Sequence, residues 1–206
     1  AGDEALTVPV GVSNRHVHLS QQHVEALFGP RYELTPWKEL SQPGQFAARE
    51  QVTLQGPKGG IGNVRILGPA RGMTQVEIAR SDGFQLGVHP PVRLSGNLDD
   101  TPGITLTGPR GSLTLERGVI VALNHVHMSP EDAERFGVQS GDSLMLQAAG
   151  DRAVVFADVA VRVHASYRLD CHIDLDEANA AALNTGDRLR LIGINGRRLT
   201  PPAEGR

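Results

Sequence analysis

The sequence predicts a mainly β fold, a barrel or sandwich with short capping α-helices, built from two related halves. Three observations carry this. Short β-branched segments recur along the whole chain, separated by turns drawn from 24 glycines and 13 prolines. Spacing of that kind argues against alternating βαβ units. The segment Ser13-Asn14-Arg15-His16-Val17-His18-Leu19-Ser20 returns as Leu123-Asn124-His125-Val126-His127-Met128-Ser129. Each copy follows a β-branched run, Val8–Val12 or Val119–Ala122, and each leads into a helix start. Aromatic residues are only 4%, so Val, Leu, Ile and Ala must build the core.

In order, residues 7–19 are expected to form the first strand. Ser20 is then an N-cap, Val24, Leu27 and Phe28 are the apolar face of a short helix, and Gly29 is its stop. Residues 30–45 form a connection holding Trp37 and Lys38. Strands are expected at 50–54, 61–67, 75–80, 92–94, 104–107, 112–116 and 119–123. In the second half, Ser129-Pro130 caps a helix ending at Gly137, with Pro at the first helical position. Strands follow at 143–147, 153–156 and 159–163. Asp174 with Glu177 is a capping box for a helix through Leu183. A strand over 188–192 follows, and the polar tail from Asn195 to Arg206 is expected to be loose.

Net charge is −3, which gives no basic surface for nucleic acid or acidic lipid. No apolar run reaches the length of a membrane span, and no signal-peptide pattern opens the chain, which starts at Ala1. The single cysteine, Cys171, excludes an internal disulfide and suits a reducing compartment.

Side chains alternate across a strand, so His-x-His places two imidazoles on one face. Two neutral imidazoles are half of a zinc site. Aligning the halves sets Val76-Glu77-Ile78 against Cys171-His172-Ile173, so Glu77 falls opposite His172. Two candidate trios result: His16, His18 and Glu77; and His125, His127 and His172. Three protein ligands with an open position are the pattern of a catalytic zinc. The competing reading has histidines that decorate strand faces and a solvated glutamate.

Arg71 sits in a Gly-Pro-Ala-Arg-Gly loop, where a guanidinium can be aimed at a phosphate or can simply be solvated. Gly56–Gly62 is glycine-rich but lacks the Gly-Lys-Ser/Thr of a P-loop, and no helix follows. Cys171 adjoins His172, so it faces the other side of the strand and is expected to be a small buried residue. His23, His89 and His164 have no paired partner in the pattern. A cupin-like set using Glu131 is rejected, because Ser129-Pro130 starts a helix there. A metal-dependent hydrolase and a non-enzymatic double-barrel module are the remaining rivals.

The chain resembles the Pdu-type phosphotransacylases, or phosphate propanoyltransferases, of bacterial microcompartments. The resemblance rests on residues 13–20, Leu-Ser-Gln-Pro-Gly-Gln-Phe-Ala (40–47), Val-Arg-Ile-Leu-Gly-Pro-Ala-Arg (64–71), Val-Arg-Leu-Ser-Gly (92–96), Asn-His-Val-His-Met (124–128) and the His172 segment. It implies two β-barrel domains with the active site between them. Residues 1–31 with 122–206 would form one, and 32–121 the other. It implies interconversion of propanoyl-CoA or acetyl-CoA plus phosphate with acyl phosphate plus coenzyme A, using two zinc ions. One zinc would fall on His16, His18 and Glu77, the other on His125, His127 and His172. Arg71 matches the phosphate-binding arginine. Val12, Ser13, Asn14, Lys38, Lys58, Arg65, Leu67 and Asn179 match the coenzyme A contacts. The resemblance implies further copies of the chain and microcompartment shell or core enzymes as partners. The location implied is the microcompartment lumen or the cytoplasm. Many members carry an amphipathic N-terminal encapsulation peptide; the sequence starts near its first strand and does not show one, whether it was removed or never existed.

Overall fold

The computed structural model describes residues 6–199. In chain order the elements are β1 (Thr7–Ser13), β2 (His16–His18), α1 (Gln21–Phe28), β3 (Pro36–Glu39), β4 (Phe46–Gln55), β5 (Gly60–Gly68), β6 (Gln75–Glu77), α2 (Arg80–Leu86), β7 (Val92–Arg93), β8 (Ile104–Thr107), β9 (Ser112–Leu115) and β10 (Val119–Ala122). They continue with β11 (His125–Met128), α3 (Pro130–Phe136), β12 (Ser143–Ala148), β13 (Val154–Val163), β14 (Asp170–Asp174), α4 (Leu175–Ala181), β15 (Arg188–Ile194) and β16 (Arg197–Arg198). With 44% strand against 15% helix, the class is mainly β.

The described chain divides into two compact units, residues 6–13 with 124–199, and residues 14–123. In the first, strands pair in the order β1-β14-β11-β13-β12-β15, and β15 pairs back to β1, closing a six-stranded barrel. Its core is aliphatic: Val8, Val10, Val126, Met128, Leu144, Leu146, Ile173 and Leu189 are all buried. The central unit carries the order β7-β10-β6-β2-β5-β4-β8-β9, with β3 on β4, in a curled half-barrel. Val17, Leu19, Leu27, Leu54, Ile66 and Leu106 fill it. Burying each such side chain contributes about 1.5–3 kcal/mol, so Leu54→Ala is expected to cost about 2–5 kcal/mol.

The repeat is a repeat of sheet topology. β2 is parallel to β5 and antiparallel to β6; β11 is parallel to β13 and antiparallel to β14. Each set is completed by one further parallel strand, β10 on β6 and β1 on β14. The strand that precedes each His-x-His therefore pairs in the other unit's sheet.

Several elements differ from the sequence expectation. Residues 7–19 form two strands in two sheets. The Asn14 side chain accepts the Arg15 N–H at 2.8 Å, and the Arg15 guanidinium meets Asp82 at 2.6 Å, which together turn the chain out of β1. The strand expected over 75–80 stops at Glu77 and α2 follows. Asp82 Oδ2 accepts the Ala79 N–H at 3.0 Å, capping the helix from its third position. Gly83 hides this helix in the sequence, yet a Cβ there would lie 2.5 Å from the Val88 carbonyl oxygen. Residues 154–163 are one continuous strand. In the tail, Asn195 and Gly196 have φ of 49° and 73° and turn the chain into β16, which pairs with β15. The rest of the tail, 200–206, lies outside the described residues.

Candidate metal and phosphate site

The first trio is assembled by β2 and β6. His16 stands opposite Glu77 in the ladder, and His18 opposite Gln75. His16 and His18 are buried, at 6% and 4% exposure, and Glu77 is half-buried. The Asn14 carbonyl accepts from His16 Nδ1 at 2.8 Å, which leaves Nε2 with the lone pair. His16 Nε2 lies 3.4 Å from Glu77 Oε2, and His18 Nε2 lies 3.6 Å from Glu77 Oε1. Those separations are long for charged hydrogen bonds and close to the roughly 3.3 Å between two ligands of one tetrahedral zinc.

The second trio uses the same ladder. His125 stands opposite His172, and His127 opposite Asp170. The rings meet edge to face, with centroids 4.7, 4.8 and 5.2 Å apart. His127 Nδ1 is buried and has no hydrogen-bond partner among the described residues. A buried imidazole nitrogen is costly to leave bare, and a metal ion would satisfy it. In both trios one donor atom from each residue lies within 4.8 Å of the others. The donor sets fit zinc: borderline nitrogens and one carboxylate, three ligands each.

Electrostatics favour the deprotonated forms of His18, His127 and Glu77. Burial takes His18 down to about 4, with His16 and Arg71 adding to the effect against Glu77. Burial, then the neighbouring His125 and His172, takes His127 to about 3. Both are neutral imidazoles near pH 7. Burial opposes charge on His16 as well, but Glu77 outweighs it and the pKa is raised. Burial likewise pushes Glu77 up, yet His16 and His18 hold it well below the usual carboxylate range.

Arg71 is brought to the central trio. Its N–H donates to the Leu19 carbonyl at 2.8 Å, so the loop is zipped to the end of the β2 segment. Its Nη1 donates to Ser95 Oγ at 3.2 Å, and the side chain is exposed. Gln75 Nε2 donates to Ser95 Oγ at 2.8 Å and to Glu77 Oε1 at 2.6 Å. The arginine and the carboxylate are thus joined through two neutral side chains.

The other sequence-selected residues are distributed over both units. Val12 and Ser13 end β1, where the Val12 N–H donates to Thr185 Oγ1 at 3.1 Å, and Asn179 is an exposed residue of α4. In the central unit Lys38 is exposed on β3. Leu67 and Arg65 lie on β5, and the Arg65 guanidinium sits 4.6 Å over the Trp37 ring. Arg65 also donates to the Ala48 and Arg49 carbonyls at 2.9 and 3.0 Å, so it braces β4 while presenting an exposed cation–π face. The Gly56 N–H donates to the Gly59 carbonyl at 2.9 Å within the β4–β5 hairpin, and the Lys58 N–H donates to the Leu86 carbonyl at 3.0 Å, which ties the hairpin to α2.

Cys171 is fully buried, and burial followed by Asp170 and Glu177 pushes its thiol far above the usual range. It is a core residue. His23 bonds Thr74, a distant residue in the chain, His164 bonds its neighbour Ser166, and His89 packs on Phe84. Sequence reasoning missed Ser95, Gln75 and Asp170. The signal for the last two was present: each lies two residues before the third ligand, on the same strand face.

Residues 9–184 match the family model described as phosphate propanoyltransferase. The chain is 58% identical over 184 residues to a phosphate propanoyltransferase of Thermotoga maritima, covering 89% of this chain and 88% of that one. It is 54% identical to one from Rhodobacter capsulatus (92% and 87% covered) and 52% identical to one from Salmonella typhimurium (90% and 89%). The protein is therefore an acyltransferase. It belongs to the phosphate propanoyltransferase family. No helix among the described residues is long and apolar enough to cross a membrane.

Proposed function

We propose that the chain moves a propanoyl or acetyl group reversibly between coenzyme A and phosphate, using two zinc ions. His16, His18 and Glu77 hold one, and His125, His127 and His172 the other. Arg71 binds the phosphoryl group. The observation that carries this reading is the hydrogen-bonded path from Arg71 through Ser95 and Gln75 to Glu77, which ties an anion-binding guanidinium to a ligand trio.

Zinc in such sites supplies Lewis acidity toward a thiol sulfur or a phosphoryl oxygen. The remaining work falls to the chain. Arg71 orients the phosphate, so that one oxygen meets the thioester carbonyl carbon. The carbon–oxygen bond forms, the carbon–sulfur bond breaks, and the sulfur leaves with the electron pair as coenzyme A thiolate. In reverse, the thiolate attacks the acyl phosphate and phosphate departs. Arg71 keeps its charge in both directions. Cys171 takes no part, so the acyl group passes within a ternary complex. For coenzyme A, Trp37 with Arg65 offers a stacking face and Lys38 a charge, with Val12, Ser13, Asn14, Lys58, Leu67 and Asn179 as further contacts. The resemblance extends the proposal to work in a microcompartment lumen or the cytoplasm, as a homo-oligomer beside shell or core enzymes.

The test is coenzyme A release from propanoyl-CoA and acetyl-CoA, with and without phosphate, on native, metal-stripped and zinc-restored protein. Phosphate-dependent release that disappears on stripping and returns with zinc is expected. Release without phosphate would make the protein a hydrolase. Full activity after thorough stripping would remove the metal from the reaction.

A further inference from the structure

We propose that Gln75 and Asp170 are matched positioning residues, one behind the third ligand of each trio: Gln75 fixes Glu77, and Asp170 fixes His172. The inference rests on the two-trio metal reading above and adds residues that the reading does not contain.

The two residues hold one place in the repeat. Gln75 pairs with His18, and Asp170 pairs with His127, the second histidine of each motif. Each precedes its third ligand by two residues, and so shares its strand face. Both are buried, at 2% and 6% exposure. Both bond that ligand: Gln75 Nε2 to Glu77 Oε1 at 2.6 Å, and His172 Nε2 to Asp170 Oδ2 at 3.1 Å.

The chemistry of each pair suits its ligand. The Gly96 N–H donates to Gln75 Oε1 at 2.7 Å, which fixes the amide with its nitrogen toward Glu77. That nitrogen spends one hydrogen on Ser95 and the other on Glu77. The carboxylate is thereby held against rotation, and an amide leaves it its full negative charge. For His172 the need is reversed. A carboxylate oxygen accepts the Nε2–H, fixes the tautomer with its lone pair on Nδ1, and makes that nitrogen a stronger donor. Each trio thus gains one carboxylate, as a ligand in the central unit and behind a ligand in the barrel.

The surrounding chain makes room for the second pair. Gly11 on β1 lies in register with His172. A Cβ there would sit 2.9 and 3.0 Å from the Asp170 oxygens and 3.1 Å from His172 Cδ2. Glycine at this position keeps the Asp170–His172 contact from being pushed apart.

The test is zinc affinity by chelator competition on purified full-length protein, with folding followed by circular dichroism. Gln75→Met and Asp170→Ala are each made in the wild type and in His125→Ala, which lacks the barrel trio. Each variant is expected to weaken one of two zinc ions by about 10–100-fold. In the His125→Ala background, Gln75→Met should weaken the remaining zinc and Asp170→Ala should leave it unchanged. Asp170→Asn keeps an acceptor without its charge and should fall between. Cobalt substituted for zinc should show shifted absorption bands for the affected site alone. Gln75→Glu, similar in size, replaces Gln75→Met if the latter fails to fold. Folded variants that hold both ions with wild-type affinity would overturn the inference, as would loss from the opposite trio. Wild-type protein that binds no zinc would overturn the metal reading itself.

Discussion

His16 and Glu77 face each other across an antiparallel strand pair, with Nε2 3.4 Å from Oε2, while the other His16 nitrogen is tied to the Asn14 carbonyl. The ring is anchored from behind by backbone and presents its other nitrogen to a carboxylate at the spacing of two ligands of one ion. The same ladder in the barrel unit sets His125 opposite His172. Two such sites predict about two zinc ions per chain. His125→Ala should remove one and spare most of the other, read by elemental analysis of freshly prepared active protein. A wild-type content of one ion or none would sink the two-metal reading.

Glu50 gives a prediction away from the metals. It is 8% exposed, and it accepts from Tyr32 Oη at 2.9 Å and from the Thr35 N–H at 3.0 Å. Burial pushes its pKa up, but the bonds from Thr35 and Tyr32 outweigh burial and hold it below the usual value of 4.5. A carboxyl depressed on folding adds stability that is complete above its unfolded pKa and is lost as pH falls below it. Glu50→Gln should therefore lower the melting temperature at pH 7 more than at pH 3.5. Equal losses at both pH values would show that the charge contributes nothing.

Cys171 tests the order of transfer. Its buried, proton-holding thiol predicts near-normal turnover for Cys171→Ala, at a stability cost of about 1 kcal/mol. Turnover reduced more than about a hundredfold in a folded variant would point to a covalent acyl-enzyme. The native protein should also resist alkylation at pH 8, as read by mass spectrometry, until it is unfolded.

The grouping of the trios was legible because two periods coincide. Strand alternation puts both histidines of His16-Val17-His18 on one face, and the repeat then finds Glu77 opposite His172. What was not legible has physical causes. The run from Thr7 to Leu19 is interrupted only by the short polar stretch Ser13-Asn14-Arg15, which does not show by itself that β1 and β2 belong to different sheets. The turn there depends on Arg15 meeting Asp82, a residue far along the chain. The same contact recurs as Asn124 Nδ2 donating to Glu177 Oε1 at 2.6 Å, so the residue before each first histidine is held by the third residue of a distant helix. Helix α2 was missed because Ala79 offers no capping side chain and Gly83 weakens helical propensity. Gln75 and Asp170 could be placed on the third ligand's strand face from their spacing, but their bonds to Glu77 and His172 show only once the strands are folded.

Arg71 gives the prediction that separates phosphate transfer from its rivals. Its backbone is held by the Leu19 carbonyl, so truncating the side chain should leave the loop in place. Its guanidinium reaches Ser95 Oγ at 3.2 Å, and the residue is exposed, so a phosphate can meet it. Arg71→Ala should lower turnover in the phosphate-dependent direction by roughly two to three orders of magnitude and raise the KM for phosphate, since removing one donor aimed at the reacting group costs about 2.7–4 kcal/mol. Arg71→Lys should recover part of this, because an ammonium keeps the charge and loses the planar fork. Zinc content and coenzyme A affinity should stay near wild type in both, measured on the same samples. Wild-type phosphate dependence in Arg71→Ala would make the arginine an ordinary loop residue. Loss of zinc as well would mean that the path through Ser95 and Gln75 lets Arg71 support Glu77, and that its role is to hold the trio and not to bind phosphate.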